Sequence, residues 1–302
     1  MASDTISVAG EALYLWRQAA QAGARQLDVP VYEVDWFLQG VCQLSHSELS
    51  LDLYRHRSKV RLFHSLDWLT QQWQRRLTER VPVQYLVGET PWRDLMLTVT
   101  PDVLIPRPET ELMVDIVKDW VEQQGEIACP QVWADLGTGS GAIAISIAKA
   151  FPQSQVLAVD VSSAALDIAR HNAQRNQAEN IQFCQSSWFD TLANWQGQLS
   201  GVITNPPYIP SSQVVLGLAP EVTHHEPHQA LDGGTDGLDD IRLLIEQAPQ
   251  FLRPGGLWLT EHMQGQAQTI AALLADANVY QDIQIHKDLA DIERFVSAIL
   301  HA

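Results

Sequence analysis

Cysteine, positive charge and long apolar runs are all scarce in this chain of 302 residues. Its three cysteines, Cys42, Cys129 and Cys184, are odd in number and widely spaced, which argues against a disulfide framework or a cysteine metal site. No apolar run reaches the roughly 18 residues of a membrane span. Residues 1–20 contain Asp4 and no basic segment, unlike a secretion signal. We therefore predict a cytoplasmic protein that uses no metal and no membrane.

The shortage of positive charge is confined to one part of the chain. Lys and Arg total 19 against 36 Asp and Glu, a net charge of −17. Residues 1–85 are neutral, so the whole excess falls on residues 86–302. Such a field repels nucleic acid and favours a basic partner surface, while acidity that serves only solubility is an equal alternative. We expect no direct nucleic-acid partner.

Residues 1–80 have the pattern of a small helical bundle. Leucine and tryptophan recur at spacings of three and four from Leu62 to Leu77, which predicts one apolar helix stripe. Trp16 and Trp36 fall in two shorter helical segments. Such aromatic stripes are more often core than binding surface, so we interpret them as the core of the bundle.

Residues 81–105 are rich in turn formers and predict a connector. Leu95–Val99 and Val103–Ile105 are short apolar segments with the pattern of a β-hairpin. The stretch Pro106–Glu111 then combines proline with carboxylates, as helix N-termini do, and predicts a helix that runs to about Gln124.

Residues 106–302 alternate between strand and helix patterns, which predicts an α/β domain with a doubly wound, mainly parallel, seven-stranded sheet. The last two strands are separated by a short segment and predict an antiparallel edge. The predicted strands are Val132–Leu136, Val156–Asp160, Ile181–Gln185, Gly201–Thr204, Leu257–Glu261, Ile283–His286 and Arg294–Leu300. The predicted helices are 141–151, 162–177, 238–252 and 266–277.

A glycine-rich loop lies at the predicted turn from the first of these strands into a helix. It comprises Gly137, Thr138, Gly139, Ser140 and Gly141. Glycines there let the backbone approach a ligand at a helix N-terminus. An acidic residue, Asp160, ends the next strand, where a carboxylate suits two ribose hydroxyls. With Ala142 the loop also matches dinucleotide binders, so by itself it fits S-adenosylmethionine or a nicotinamide cofactor.

The predicted strand Gly201–Thr204 ends in Asn205, Pro206, Pro207 and Tyr208. Two consecutive prolines end a strand and hold the neighbouring oxygen acceptors rigid, because proline has no N–H and a fixed φ. A rigid cluster of acceptors suits a planar –NH2 group, which offers two donors. A dehydrogenase would need a proton-handling side chain here instead. The pattern therefore favours transfer of a group onto an amide or amino nitrogen.

With these motifs the sequence resembles the protein-glutamine N5-methyltransferases (HemK-type) that modify peptide chain release factors. The resemblance covers nearly the whole chain. It is carried by residues 82–88, 104–111, 135–141, 187–189, 205–208, 226–231 and 291–294. It implies a Rossmann-like class I methyltransferase fold, S-adenosyl-L-methionine as cofactor with S-adenosyl-L-homocysteine as product, and the Gly-Gly-Gln loop of class 1 release factors as substrate.

The resemblance also implies roles for the cofactor side of the site. Gly137–Gly141 would hold the methionine portion, Asp160 the ribose and Trp188 the adenine region. Ser187 departs from the family, which often has an acidic residue before this tryptophan. Backbone atoms around residues 187–189 then become the expected contact for adenine.

On the substrate side, Asn205 would lie between cofactor and glutamine. Its side-chain oxygen and the carbonyl of Pro206 would accept hydrogen bonds from the two N–H groups of the substrate amide. Pro207 would lie beside them, and Tyr208 would stack on the amide plane. Orientation of two reactants is worth roughly 7–11 kcal/mol, whereas a general base adds about 10²–10⁴-fold. We therefore expect no dedicated catalytic histidine.

Several alternatives stay open at this stage. A glutamine of a ribosomal protein offers the same side chain, and N6 of adenine in a nucleic acid offers the same donors, although the latter needs base flipping and a basic channel. A cofactor-binding protein without catalysis is a third. We expect a monomer whose helical bundle docks the partner. Residues 224–228 form a histidine-rich loop that we interpret as lying near the substrate mouth, with Glu226 and Pro227 in a structural role. Arg107 and Glu111 fit the border of the cleft, a buried ion pair or a helix cap.

Overall fold

The computed structural model describes residues 6–125 and 131–301, which include every predicted site residue. They form two compact units. The N-terminal unit contains the described residues up to Thr90 together with Ala219–His225, and the sheet unit contains Pro91–Leu218 and the described residues from Glu226 onward. Cys42 and Cys184 are free thiols, and Cys129 lies outside the described residues.

The N-terminal unit is a helical bundle with a small sheet. Its elements are α1 (Gly10–Gln26), α2 (Tyr32–Val41), α3 (His46–Ser50), α4 (Leu66–Thr78), α5 (Val83–Val87), β1 (Ile6–Val8) and β2 (Val60–Leu62). Trp16 and Trp36 lie in helices, as predicted. The predicted helix through Leu62 is wrong, because Leu62 pairs with Ile6 in the β1–β2 sheet. The helix begins only at Leu66, after Ser65 has capped it by accepting a hydrogen bond from Trp68 N at 3.2 Å.

A buried arginine ties the inserted segment 219–225 into this unit. Arg76 is 3% exposed and donates to Glu33 and, at 2.8 Å, to Oε1 of Glu221. The ring of His225 forms a hydrogen bond with the carbonyl of Glu79 at 2.7 Å. A buried arginine needs such carboxylate partners, because an unpaired charge in the interior costs several kcal/mol.

The connector contains a β-hairpin that differs from the predicted one. β3 (Glu89–Trp92) pairs with β4 (Leu95–Thr98), and Arg93 makes the tight turn between them with φ of 52°. The predicted pairing with Val103–Ile105 is wrong, since this segment is not a strand. Val103 and Ile105 are nonetheless 1% and 4% exposed, so their apolar character reflects burial and not strand pairing.

Seven strands of the described residues form one sheet in the order β10-β11-β9-β8-β5-β6-β7. The strands are β5 (Val132–Leu136), β6 (Gln155–Asp160), β7 (Ile181–Gln185), β8 (Leu199–Thr204), β9 (Leu252–Glu261), β10 (Tyr280–Lys287) and β11 (Glu293–Leu300). β5 to β9 pair in parallel, while β11 runs antiparallel to both of its neighbours. This confirms the predicted doubly wound, mainly parallel sheet with an antiparallel edge.

Five helices follow the alternating pattern as predicted. They are α6 (Glu111–Gln123), α7 (Ala142–Ala150), α8 (Ser163–Arg175), α11 (Asp239–Gln247) and α12 (Ala267–Asp276). Two short helices between β8 and β9 were not predicted, α9 (Ser211–Leu216) and α10 (Pro220–His225), and α10 belongs to the N-terminal unit. α6 begins later than predicted, so that Pro106 lies outside it and only Glu111 falls in its first turn. Met113, Val114, Val117 and Trp120 are buried at helical spacing and form the inward face of α6.

The strand order creates one place where a ligand can lie between loops. β5 is flanked by β6 on one side and β8 on the other, so the connections leave in opposite directions there. In open α/β sheets, ligands bind beyond the carboxyl ends of the strands at such a switch point. Gly137 follows β5 and Asn205 follows β8, which brings the two sequence motifs to the same edge.

Candidate active site

The glycine loop turns sharply from β5 into α7. Gly137, Gly139 and Gly141 have φ of 75°, 53° and 84°, the left-handed region that glycine adopts without strain. Gly141 directly precedes α7, and a Cβ there would lie 3.2 Å from Cβ of Ala169. The loop therefore presents bare backbone at the N-terminus of α7.

Asp160 at the end of β6 supports this loop. Its Oδ2 accepts from the backbone N–H of Gly139 and its Oδ1 from that of Ser162, both at 2.9 Å. Burial raises the pKa of the Asp160 carboxyl, and the backbone hydrogen bonds offset part of that effect. A carboxylate offers about four lone-pair sites, so Asp160 retains acceptor capacity for ligand hydroxyls.

A second carboxylate, Asp135, lies beneath the same loop and is 1% exposed. Its Oδ2 accepts from the Thr138 hydroxyl at 2.6 Å and from Ala144 N at 3.0 Å. Burial raises the pKa of Asp135 to about 7. The sequence alone assigns Asp135 no role. The structure shows that Asp135 holds the glycine loop to the first turn of α7.

Trp188 lies beside the glycine loop with an unusual backbone. Its φ is 47°, and its ring would lie 3.6 Å from a Cβ at Gly137. The indole N–H donates to Oδ1 of Asp240 at 3.2 Å. Burial raises the pKa of Asp240, a residue that sequence reasoning missed.

These residues surround a cavity of about 470 Å³, within the usual range for small-molecule sites. Segments 101–106 and 227–230 contribute to its walls. The predicted site residues that line it are Gly137, Thr138, Gly139, Ser140, Asp160, Trp188, Asn205 and Pro207. Gly141, Pro206 and Tyr208 are not among the lining residues.

Behind Asn205 lies a hydrogen-bonded chain that contains two residues missed in the sequence. Asn205 Nδ2 donates to Thr110 Oγ1 at 3.3 Å, and that hydroxyl donates to Glu261 Oε2 at 2.6 Å. The Tyr208 hydroxyl donates to the other oxygen, Glu261 Oε1, at 2.9 Å. Glu261 is 1% exposed, and burial raises its pKa against the opposing effect of these bonds and of Arg294. Burial and the neighbouring Glu261 also raise the pKa of Tyr208.

One signal in the sequence pointed to Glu261. It ends a predicted parallel strand, and the carboxyl ends of such strands carry functional groups. Thr110 lies in the family-like stretch 104–111, where its neighbours suggested only a helix start. The distance of 151 positions between Thr110 and Glu261 hides their pairing from any spacing argument.

The alternatives left open for Arg107 and Glu111 are now separated. Arg107 Nη2 donates to Oε2 of Glu226 at 2.7 Å, so these two form an ion pair in which the Glu226 side chain is 1% exposed and that of Arg107 is 33% exposed. Burial raises the pKa of Glu226, which Arg107 opposes. Glu111 Oε1 accepts from Arg93 N at 3.0 Å and therefore fastens the β3–β4 turn to α6.

The predicted loop at residues 224–228 is partly helical, because His224 and His225 form the end of α10. Its residues have separate partners: His225 bonds to Glu79, and Glu226 bonds to Arg107. Within residues 6–125 and 131–301, no group of three His, Cys, Asp or Glu side chains is arranged to hold a metal ion. Among those same residues, no helix has both the length and the apolar character that a membrane crossing requires.

The residues present fit S-adenosylmethionine. The left-handed glycines open the backbone at the start of α7, and Asp160 retains lone pairs for hydroxyl groups. A sheet of this order, with a glycine loop at its switch point and an Asn-Pro-Pro-Tyr strand end beside it, defines a Rossmann-like class I methyltransferase.

Comparison with known proteins gives the family. Residues 119–235 match the family described as Methyltransferase small domain. The release factor glutamine methyltransferase of Synechocystis sp. is 49% identical over 292 residues, which cover 96% of this chain and 97% of the relative. That of Thermosynechococcus vestitus is 44% identical and covers 96% and 99%. The chain belongs to the release factor glutamine methyltransferase family and is an S-adenosylmethionine-dependent methyltransferase.

A solved structure bears on the fold alone. A ribosomal RNA methyltransferase of T. thermophilus, crystallised with AdoMet and guanosine, has a TM-score of 0.51 at 17% identity. The match covers 70% of this chain and 50% of that one.

Proposed function

We propose that this protein transfers the methyl group of S-adenosyl-L-methionine to the side-chain amide nitrogen N5 of the glutamine in the Gly-Gly-Gln motif of class 1 peptide chain release factors. The S–CH3 bond breaks as the N–CH3 bond forms, and the by-products are S-adenosyl-L-homocysteine and one proton from the amide nitrogen. The observation that carries the proposal is that Asn205, at the tip of β8, lines the same cavity as the glycine loop that fits the cofactor. Full-length relatives named for release factor glutamine methylation support it.

The cofactor side of the site would bind and orient. Gly137–Gly141 hold the methionine portion against the N-terminus of α7, Asp160 accepts from the ribose hydroxyls, and Trp188 borders the adenine region. When bound, the cofactor supplies a methyl group already activated on a sulfonium. The polar contacts at Asp160 and the loop therefore contribute mainly to affinity, since they lie away from the reacting nitrogen.

The substrate side would orient a poor nucleophile. The lone pair of an amide nitrogen is delocalised into its carbonyl, so the nitrogen attacks only if it is held in line. Asn205 Oδ1 and the Pro206 carbonyl accept hydrogen bonds from the two N–H groups of the substrate amide, while Pro207 and Tyr208 confine the amide plane. Orientation contributes roughly 7–11 kcal/mol, more than a general base does.

Labelled cofactor tests the reaction and its substrate together. The protein is incubated with methyl-labelled S-adenosylmethionine and separately with release factors, ribosomal proteins or RNA. We expect label only in class 1 release factors, on the glutamine of Gly-Gly-Gln, and none when that glutamine is replaced by alanine. Label in a ribosomal protein or on adenine would replace the proposal with one of the two open alternatives.

The N-terminal unit is our proposed docking surface for the release factor. It exposes apolar side chains that a partner would cover, with Leu15, Tyr32, Leu51 and Leu53 between 56% and 68% exposed. The acidic charge of residues 86–302 would attract a basic domain, so added salt should slow association. A monomer acting in the cytoplasm fits this substrate.

A double substitution tests this docking surface. Leu51→Asp with Leu53→Asp should raise KM for intact release factor about tenfold, since each charge opposes burial of an apolar contact. Activity on a short Gly-Gly-Gln peptide serves as the control and should not change. A parallel loss on the peptide would show that the change acts on the fold instead.

A further inference from the structure

A chain of hydrogen bonds at the tip of β8 joins four residues of the sheet unit: Asn205, Thr110, Glu261 and Tyr208. We propose that Thr110 and Glu261 are positioning residues that fix which way the Asn205 carboxamide faces, with its NH2 group turned to Thr110 and its Oδ1 available to the substrate amide. This inference deepens the proposed function and rests on it.

The orientation follows from the number of hydrogens in the chain. The Thr110 hydroxyl has one hydrogen, and its 2.6 Å contact commits that hydrogen to Glu261 Oε2. Only lone pairs then remain on Thr110 Oγ1 for Asn205, 3.3 Å away. An amide oxygen cannot bond to a lone pair, so the group that faces Thr110 is the NH2. Asn205 Oδ1 is thereby left to act as an acceptor.

An ionised Glu261 is required for this arrangement. It accepts from two hydroxyls at once, Thr110 on Oε2 and Tyr208 on Oε1. If the carboxyl were protonated, one of its oxygens would be a donor, and the hydroxyl facing that oxygen would have to accept the hydrogen bond instead of donating it. Burial raises the pKa of Glu261, while the hydrogen bonds from Thr110 and Tyr208 and the charge of Arg294 favour the ionised form that the geometry requires. One carboxylate therefore anchors both ends of the Asn205–Tyr208 segment.

Thr110 does not use its hydroxyl in the way its position suggests. It directly precedes α6, where a threonine usually accepts from a backbone N–H of the first turn. Its side chain makes no such cap hydrogen bond and instead bridges Asn205 and Glu261. Its place in the chain is therefore explained by the site and not by the helix.

Substitution of Thr110 separates positioning from folding. Thr110→Val keeps the shape but removes the hydroxyl, and should lower kcat about 10–100-fold because the Asn205 amide is then free to turn. The cofactor Kd should stay within about threefold. Thr110→Ser restores the hydroxyl and should restore most of the activity. The matched control is Thr260→Val, since the Thr260 hydroxyl donates to the backbone carbonyl of Glu261 at 3.0 Å and not to its carboxylate.

A double substitution asks whether Thr110 acts through Asn205. In an Asn205→Ala background, Thr110→Val should lower the single-turnover rate by less than about threefold, because there is no amide left to orient. Equal losses in both backgrounds, a serine variant as slow as the valine one, or an equal loss in Thr260→Val would each overturn the inference.

A measurement on the unaltered protein needs neither a variant nor a substrate. In the ¹⁵N-labelled protein, the side-chain NH2 protons of Asn205 should show nuclear Overhauser contacts to the Thr110 methyl group. Their absence would mean that the amide faces the other way and would overturn the inference. A wild-type protein that shows these contacts but methylates no release factor would instead contradict only the proposed function.

Discussion

The ends of β5 and β8 meet at the switch point and present different chemical groups, backbone at β5 and side chains at β8. Beyond β5 the site is backbone: three left-handed glycines and the N–H groups of a helix start, held by carboxylates that accept from them. Beyond β8 it is side chain: the Asn205 amide and the Tyr208 hydroxyl, both connected to the buried Glu261. Both ends are rigid, but for different reasons.

This difference separates binding from reaction. Backbone N–H groups and carboxylates recognise the invariant parts of a cofactor and need no change during the reaction. A side-chain amide in a hydrogen-bonded chain with fixed donors presents only its oxygen to the ligand. Such a fixed acceptor suits the positioning of a nucleophile. Substitutions at the β5 end should therefore act on affinity, and those at the β8 end on turnover.

The largest effect is expected at Asn205. Asn205→Ala should lower kcat about 10²–10³-fold, comparable to loss of one preorganised hydrogen-bond group in other active sites. The cofactor Kd should change far less, since the substrate amide loses its acceptor and the cofactor contacts remain. Quenched time-course assays of methyl transfer give kcat, and isothermal titration calorimetry gives the cofactor Kd. Equal losses in both would mean that Asn205 only holds the cofactor, and the contrast between the two strand ends would fail.

Asp160→Ala should produce the complementary result with a smaller effect. Loss of a hydrogen bond to a charged group costs about 1.5–3 kcal/mol, which weakens cofactor binding about 10–150-fold. At saturating cofactor, kcat should recover most of its value. Asp167→Ala is a matched control, because Asp167 lies on α8 with a side chain 76% exposed and pairs only with Arg170 in the described structure. An unchanged Kd for Asp160→Ala would remove its assignment.

Asp135 adds a pH dependence confined to the β5 end. Burial raises the pKa of Asp135 from 3.8 to about 7, so between these values the folded protein keeps a proton that the unfolded chain has released. Stability should therefore fall as the pH rises from about 4 to about 7, by up to about 1.4 kcal/mol per pH unit. Asp135→Asn should flatten this slope in urea unfolding at several pH values. A slope equal to that of the wild type would show that Asp135 does not carry it.

Much of the sheet was predictable because its signals are local. The central parallel strands are buried on both faces, as in Leu199–Thr204, where all six residues are buried. The glycine loop and the residues from Asn205 to Tyr208 are contiguous motifs at strand ends. Their meeting at one edge follows from the parallel order alone.

What the sequence hid depends on contacts between distant residues. Glu261 and Thr110 acquire their role only by meeting across 151 positions, and Asp240 only by meeting Trp188. In the N-terminal unit, the apolar Leu62 extended the helical stripe in the sequence, but pairing with Ile6 makes it part of a strand. Periodicity reports burial, and which partner provides that burial is a property of the folded chain.

The position of β11 has a consequence for how the enzyme matures during its synthesis. This strand lies between β9 and β10, although it follows both in the chain, and Phe295 is the residue paired with Glu261. Until the nascent polypeptide includes β11, β9 has an open border on that side. Glu261, which we propose orders the Asn205 amide, therefore gains this neighbour only after β9 and β10 have been made, so a partly made chain should be able to assemble its glycine loop well before it can transfer a methyl group.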